Sequence, residues 1–281
     1  MIVNNPAFPL ICPICGFALQ TAVKSAVCAN NHQFDFSRDG YLNLHVKHGR
    51  APKFLGDSKE MLRARRNFLE ADFYQPLLAF LLDIEPTKSS QFILEAGCGE
   101  GYYIGNLSNR LRAVNCFGVD LAKEGIRLAA KRYKDGRFLV ADLNHFIPLA
   151  DQTVDLLLNI FAPRNHTEFQ RVMQPNGWLI TIIPHPDHLA SLRHPFGLLK
   201  IAPNKLEGIQ AQFQHGFRHS MTHTLRFPLA LPSSDLHHLL QMMPSARHQT
   251  AVWQQSLQQQ AEWQTEAAFH IMMFQKRPSL E

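Results

Sequence analysis

Phe92-Ile93-Leu94-Glu95-Ala96-Gly97-Cys98-Gly99-Glu100-Gly101-Tyr102-Tyr103 decides the fold, because a short apolar run breaks directly into three alternating glycines. Apolar runs of this length read as buried strands. Glycines at 97, 99 and 101 let the backbone turn tightly and come close to a ligand where a Cβ would obstruct it. A dinucleotide-binding turn places its third glycine three residues after the second. Here it comes two after, and Tyr102 stands where close helix-strand packing needs a small residue. The stretch is therefore a nucleotide-cofactor loop of a different kind, or, read alone, an ordinary glycine-rich turn.

The chain beyond the loop repeats a strand-then-acid pattern. Cys116-Phe117-Gly118-Val119-Asp120 reads as a second strand, ending where a doubly wound fold places the carboxylate that accepts both ribose hydroxyls, which makes Asp120 the ribose ligand. Phe138 to Leu143 ends in a second acid, Asp142, and Val154 to Ile160 and Trp178 to Ile183 add two more apolar runs, the last after a Pro175-Asn176-Gly177 turn. Helical patterns fill the gaps, as at Lys123 to Lys134. Taken singly, each acid also fits a solvated turn. Alternation of buried strands with helices predicts an α/β fold with a parallel sheet covered on both faces. The acid-x-Gly-x-Gly-x-Gly form resembles motif I of class I S-adenosylmethionine (SAM) methyltransferases. That resemblance places Glu95 near the methionine ammonium, the three glycines under the ribose and methionine part, and Asp142 with Leu143 at the adenine.

A separate pattern lies near the start. Cys12, Cys15, Cys28 and His32 form C-x2-C-x12-C-x3-H, the spacing of a structural zinc site. Thiolates and a neutral imidazole suit Zn2+, and four protein ligands leave no open position for catalysis. Forty-odd residues bury too little apolar surface to fold without such a staple. Cys98 and Cys116 read as packing thiols. Five cysteines without a signal peptide, and no apolar stretch of membrane-spanning length, predict a soluble cytoplasmic protein.

Charge is unevenly placed. Residues 45–66 hold seven basic side chains (Lys47, Arg50, Lys53, Lys59, Arg63, Arg65 and Arg66) against Asp57 and Glu60, an excess matching the +5 of the whole chain. Such clustering is the footprint of a phosphate-backbone contact. A solvated linker and helix face is the alternative.

Further motifs carry a narrower resemblance. His32-Gln33-Phe34-Asp35, Asp39-Gly40-Tyr41-Leu42-Asn43-Leu44, Gly56-Asp57-Ser58-Lys59-Glu60-Met61, Ala64-Arg65-Arg66, Tyr74-Gln75-Pro76-Leu77 and the Ala162-Pro163 pair resemble the bacterial 23S ribosomal RNA (guanine-N1)-methyltransferases, over nearly the whole chain to about residue 245. The resemblance implies a zinc-binding module at 1–45 that recognises RNA, a basic linker and helix at 46–73, and a SAM-dependent methyltransferase domain at 74–281. It also implies a homodimer, and cofactor contacts from Tyr74, Tyr102, Tyr103 and His188, although His188 fits equally a cap at a helix start. Lys47, Arg50, Lys53, Arg63, Arg65 and Arg66 are the expected RNA contacts. The expected activity is methylation of one guanine N1 in a hairpin loop of 23S ribosomal RNA. Asn159 and Phe161, at the end of the fourth strand, are placed to touch the base. The proton acceptor stays open between Asp142 and water. Two departures bear on substrate choice: Phe161 replaces a tyrosine usual in relatives, and two late aromatics are Ser245 and Arg247 here. The rival readings are a small-molecule or protein methyltransferase and a non-catalytic, zinc-bearing ribosome-assembly factor.

Overall fold

The computed structural model describes residues 9–46, 57–111, 114–202, 204–243, 253, 256–257 and 260–278. Lys47, Arg50 and Lys53 lie outside the described residues, as do Ser245 and Arg247. Strands β1 (Leu19–Thr21), β2 (Ser25–Cys28) and β3 (Gln33–Asp35) form a small antiparallel sheet, followed by β4 (Leu42–Asn43). Helices α1 (Lys59–Glu70), α2 (Gln75–Asp83) and α3 (Glu85–Ser89) lead into the alternating part: β5 (Phe92–Ala96), α4 (Tyr102–Arg110), β6 (Asn115–Asp120), α5 (Lys123–Arg132), β7 (Arg137–Val140), β8 (Val154–Ile160), α6 (His166–Val172) and β9 (Met173–Pro184). After α7 (Ala190–Phe196) and α8 (Lys205–Phe213) come β10 (Phe217–Pro232), α9 (Ser233–Gln241) and β11 (Glu262–Lys276).

The large sheet runs β10-β11-β9-β8-β5-β6-β7-β4, parallel from β9 to β4, with β11 antiparallel to β9 and β10 antiparallel to β11. Its order reverses between β5 and β8. Ligands of such sheets bind beyond the carboxyl ends of the strands at that reversal. Alternate residues feed opposite faces: Ile93, Leu156, Leu158 and Ile180 pack in one core, and Leu94, Leu157, Leu179 and Phe117 in the other. This two-sided burial is why the strands read as continuous apolar runs. The Pro175-Asn176-Gly177 turn is instead a bulge inside β9, where pairing with β8 jumps from Val154↔Met173 to Leu156↔Trp178 and Asn176 takes φ +64°. Among the described residues, no helix is long and apolar enough to cross a membrane.

The zinc-binding segment is joined to this sheet. Leu42 and Asn43 pair parallel with Leu139 and Val140, and the Leu44 N–H donates to the Val140 carbonyl at 2.9 Å. Ile11 N–H donates to Pro148 O (3.2 Å) and Ala150 N–H to Pro9 O (2.7 Å). Leu10, Leu19, Leu42 and Leu44 sit in the same apolar core as Phe117 and Leu139. The segment read as a zinc-binding module at 1–45 thus contributes β4 as an edge strand of the large sheet.

Helix α1 starts at Ser58, whose hydroxyl accepts the Met61 N–H at 3.2 Å. Leu62, Ala64, Phe68 and Leu69 form its buried face, at the spacing of an amphipathic helix. Leu62 reaches Gly125 at the start of α5, beside the glycine loop, so α1 covers that loop.

Candidate active site

Cys12, Cys15, Cys28 and His32 converge with their ligand atoms all within 4.8 Å of one another. The Cys12 Sγ–His32 Nδ1 distance is 3.5 Å, Cys28 Sγ–His32 Nδ1 3.4 Å and Cys15 Sγ–Cys28 Sγ 3.6 Å. Zinc bonds of about 2.3 Å to sulfur and 2.0 Å to nitrogen at tetrahedral angles separate ligand atoms by roughly 3.5 to 3.8 Å. The donor set and its spacing fit Zn2+. Cys12 and Cys15 come from the turn before β1, Cys28 from the end of β2 and His32 from the turn before β3, and with four protein ligands the role of the site is structural.

The glycine loop owes its path to close packing. Gly97, Gly99 and Gly101 have φ of +86°, +55° and +78°. A Cβ on Gly97 would lie 2.3 Å from Ala162 Cβ, and one on Gly101 2.7 Å from Ala129 Cβ. Gly125 allows the other wall, since its Cβ would meet the Gly99 carbonyl at 2.7 Å. Asp120 holds the loop from below: Oδ2 accepts the Gly99 N–H at 2.8 Å and Oδ1 the Ala122 N–H at 2.7 Å. Each oxygen keeps acceptor capacity for a ribose hydroxyl. Asp142 Oδ1 similarly accepts the Asn144 N–H at 3.0 Å, beside the buried Leu143.

Glu95 is buried, and its Oε2 accepts the Ile104 N–H at 2.9 Å, which satisfies one donor of the first turn of α4. Burial pushes its carboxyl up to about 8, against the lowering effect of that bond. Tyr102 and Tyr103 follow at the start of α4, both buried, and the Tyr103 hydroxyl has no partner among the described residues. A cradle kept open by glycines, an acid with spare acceptor sites and an unpartnered buried hydroxyl fit a SAM site.

His188 meets Tyr74 across the fold. Its Nδ1 accepts the Ala268 N–H at 3.1 Å, so Nε2 carries the proton and donates to the Tyr74 hydroxyl at 3.3 Å. It caps no helix, because α7 starts from Leu189 without a side-chain cap. Burial, and next the Arg193 charge, hold the imidazole down at about 3. An unfolded histidine titrates near 6.5, so below that pH the unfolded chain takes up a proton the folded chain refuses. Stability therefore falls as pH drops from about 6.5 toward 3. In His188→Gln this part of the acid limb disappears. Melting curves at successive pH values test it, and equal slopes in both proteins would mean that His188 is solvated.

At the end of β8 the outcome is divided. Asn159 has no exposed surface, and its Nδ2 donates to Ala96 O (3.3 Å) and Pro163 O (2.9 Å). It ties β5 to the following loop through Nδ2, while its buried Oδ1 has no hydrogen-bond partner among the described residues. Phe161 is 45% exposed in the left-handed region at φ +53°, with its ring 5.2 Å from Phe269. A bulky residue held there is strained by about 1 to 3 kcal/mol, a feature concentrated at functional sites. Phe269 also contacts Tyr74 (5.1 Å) and His188 (4.8 Å), making it the hub that links the exposed ring to the cofactor side. No sequence signal marks it, since β11 lies a hundred residues beyond the loop.

The basic helix faces inward more than expected. Arg65 pairs with Asp57, and its Nη1 lies 3.2 Å from where a Gly99 Cβ would stand. Arg66 Nε lies 3.1 Å from Glu70 and 3.9 Å from the buried Glu100. Burial lifts Glu100 to about 7, against the neighbouring Arg132 and Arg66 charges. Of the three, Arg63 is exposed and Arg65 and Arg66 are half-buried.

A family model described as "RlmA, N-terminal" matches residues 10–50, and one described as "Methyltransferase domain" matches residues 93–177. The 23S rRNA (guanine(748)-N(1))-methyltransferase of Streptomyces fradiae is 30% identical over 85% of this chain and 86% of its own. A Micromonospora griseorubida protein provisionally named a 23S rRNA (guanine-N(1)-)-methyltransferase is 33% identical over 85% and 87%. Among solved structures, a chain from the complex of the Haloferax volcanii Trm112 methyltransferase activator with a methyltransferase superposes at a TM-score of 0.52, covering 79% of this chain and 100% of that one at 15% identity. The last likeness shows the fold alone. With identity of 30% or more over 85% of its length and a family model that matches the zinc cluster, the chain belongs to the family of 23S rRNA (guanine-N1)-methyltransferases.

Proposed function

We propose that this protein transfers a methyl group from SAM to N1 of a guanine in a hairpin loop of 23S ribosomal RNA, acting as a homodimer. The supporting observation is that similarity to guanine-N1 methyltransferases runs through the zinc-binding segment as well as the catalytic sheet. A small-molecule methyltransferase has no evident need for the first part.

Guanine N1 lies on the Watson-Crick edge and carries a proton at neutral pH, so the base must be unpaired and the proton must leave as the methyl arrives. SAM supplies a methyl already activated by its sulfonium. The task left to the protein is to orient the base and exclude water. The exposed Phe161 ring, backed by Phe269, offers a stacking platform, and Gly97, Gly99, Gly101, Tyr102, Tyr103 and Asp120 hold the cofactor beside it. Tyr74 and His188 brace that side. The cofactor's adenine falls to Asp142 and Leu143, which leaves water to take the N1 proton. Arg63, and Lys47, Arg50 and Lys53 of the basic segment, contact RNA phosphates.

A 23S hairpin transcript incubated with protein and SAM should acquire one N1-methylguanine, read as a primer-extension stop because the methyl blocks pairing. Arg63→Gln should flatten the salt dependence of RNA binding by about 0.7 to 0.9 units in log-log form. Arg65→Gln should leave that slope alone and instead disturb the cofactor loop. Methylation of protein or metabolites without RNA would overturn the RNA reading, and sedimentation as a monomer would remove the homodimer.

A further inference from the structure

Arg164 stands three residues beyond Phe161, in the loop that Asn159 braces, yet among the described residues it has no carboxylate partner. Its Nε is buried and without a hydrogen-bond partner, and Nη1 has only a long contact of 3.5 Å to the Ala162 carbonyl. Most other arginines around the site are engaged: Arg65 by Asp57, Arg66 by Glu70, Arg226 by Asp187 and Glu266. A buried guanidinium donor left open is costly unless a ligand completes it. The second cation is Lys205, the first residue of α8. Atoms packed around its ammonium and, after them, the Arg164 charge hold it below its usual value, so the two cations feel each other. Burial alone works against the charge of Arg164. Glu207, the acid closest to Lys205 in sequence, makes no ion pair with either among the described residues, and Glu168, the acid closest to Arg164, pairs with Arg171.

A guanidinium with an open buried donor, three residues along the chain from the exposed Phe161 and near enough to a second cation for the charges to repel, matches an anion rather than a salt bridge. Resting on the RNA reading above, we propose that Arg164 and Lys205 grip a backbone phosphate next to the target guanosine, so that the sugar-phosphate is fixed while its base reaches Phe161. Arginine suits this position because its planar fork can give two parallel N–H bonds to one phosphate, while lysine adds a mobile point charge. The contact would set the depth at which the base enters. A loop nucleotide held at both its base and its phosphate loses the freedom to rotate about its backbone, which favours one approach of N1 to the cofactor. This makes the pair a substrate-binding element, separate from the zinc-binding segment and from Arg63.

The test uses the full-length, zinc-loaded protein and a 23S hairpin in which the phosphates flanking the methylated guanosine are replaced one at a time by neutral methylphosphonates. For the wild type, one replacement should raise KM for RNA clearly above the others. For Arg164→Gln and for Lys205→Gln, KM should rise with the native hairpin, the log-log salt slope should flatten by about 0.7 to 0.9 units in each, and the same methylphosphonate should carry little further penalty. SAM affinity should be unchanged. Lys205 is exposed, so its variant keeps the test sound if Arg164→Gln folds poorly, and Arg164→Lys should restore part of the slope. Full methylphosphonate sensitivity in both variants, with unchanged slopes, overturns the phosphate grip while leaving the RNA activity standing. Absence of any methylation of the native hairpin by the wild type overturns the functional reading itself and this pair with it.

Discussion

Asp120→Ala is expected to lower SAM affinity by at least about a hundredfold, since two hydrogen bonds from ribose hydroxyls to a carboxylate contribute roughly 1.5 to 3 kcal/mol each. The same change strikes the loop. Gly99 and Ala122 lose the acceptor for their N–H groups, and a buried donor without a partner costs about 1 to 3 kcal/mol. Asp120→Asn separates the two effects: its single amide oxygen can keep one backbone bond but cannot serve two donors and a ribose with a full charge. Gly99→Val gives an independent lesion at the same wall. A β-branched residue at φ +55° is strained whatever the space, and its Cβ would stand 3.2 Å from the Arg65 guanidinium. Both Asp120→Ala and Gly99→Val should remain folded by circular dichroism, with lowered melting temperatures and no measurable heat of SAM binding. Wild-type affinity in either would show that the cofactor lies elsewhere.

Much of this site was legible in the sequence, and the reason is local chemistry. A glycine loop after a buried strand and a Cys-Cys-Cys-His spacing each compress their information into a few consecutive positions, so Gly97, Gly99, Gly101, Cys12, Cys15, Cys28 and His32 fall where their pattern puts them. Strands β5 to β9 were equally readable, because burial on both faces makes them nearly uniform in apolarity. The hairpin of β10 and β11 was not. Phe217–Pro232 mixes histidines, threonines and arginine with two prolines, a composition an edge strand tolerates because one side needs no ladder bonds. The bracing bonds of Asn159 were not legible, because a strand-end position does not say which way the side chain turns. Arg65 and Arg66 were read as RNA contacts; the pairing of Arg65 with Asp57 lies within the same basic segment, whereas the approach of Arg66 to Glu100 on the glycine loop needed the fold. Phe269 and Arg164 required the tertiary structure altogether.

The edge pairing of β4 changes what loss of zinc should do. Were the first forty-odd residues independent, Cys15→Ser would unfold them and leave the rest intact. In this fold Leu42 and Asn43 complete the sheet beside Leu139 and Val140, and Pro9 and Ile11 clasp Pro148 and Ala150. The segment they brace, 139–150, includes Asp142 and Leu143, the proposed adenine contacts. Cys15 is partly exposed, so its replacement by serine removes a zinc ligand with little loss of core packing. Zinc binding in small modules contributes on the order of 10 kcal/mol to folding, far more than the two residue pairs of β4 can replace. The expected result is loss of bound zinc, hydrogen exchange rising at Leu44 and Ala150 together, and SAM affinity falling even though no cofactor contact was changed. Chelation of the wild-type protein should reproduce all three. Zinc retained in the purified variant would disprove the ligand set, whereas zinc loss with unaltered exchange at Ala150 would return the first segment to the status of a detachable module and confine the metal's influence to RNA recognition.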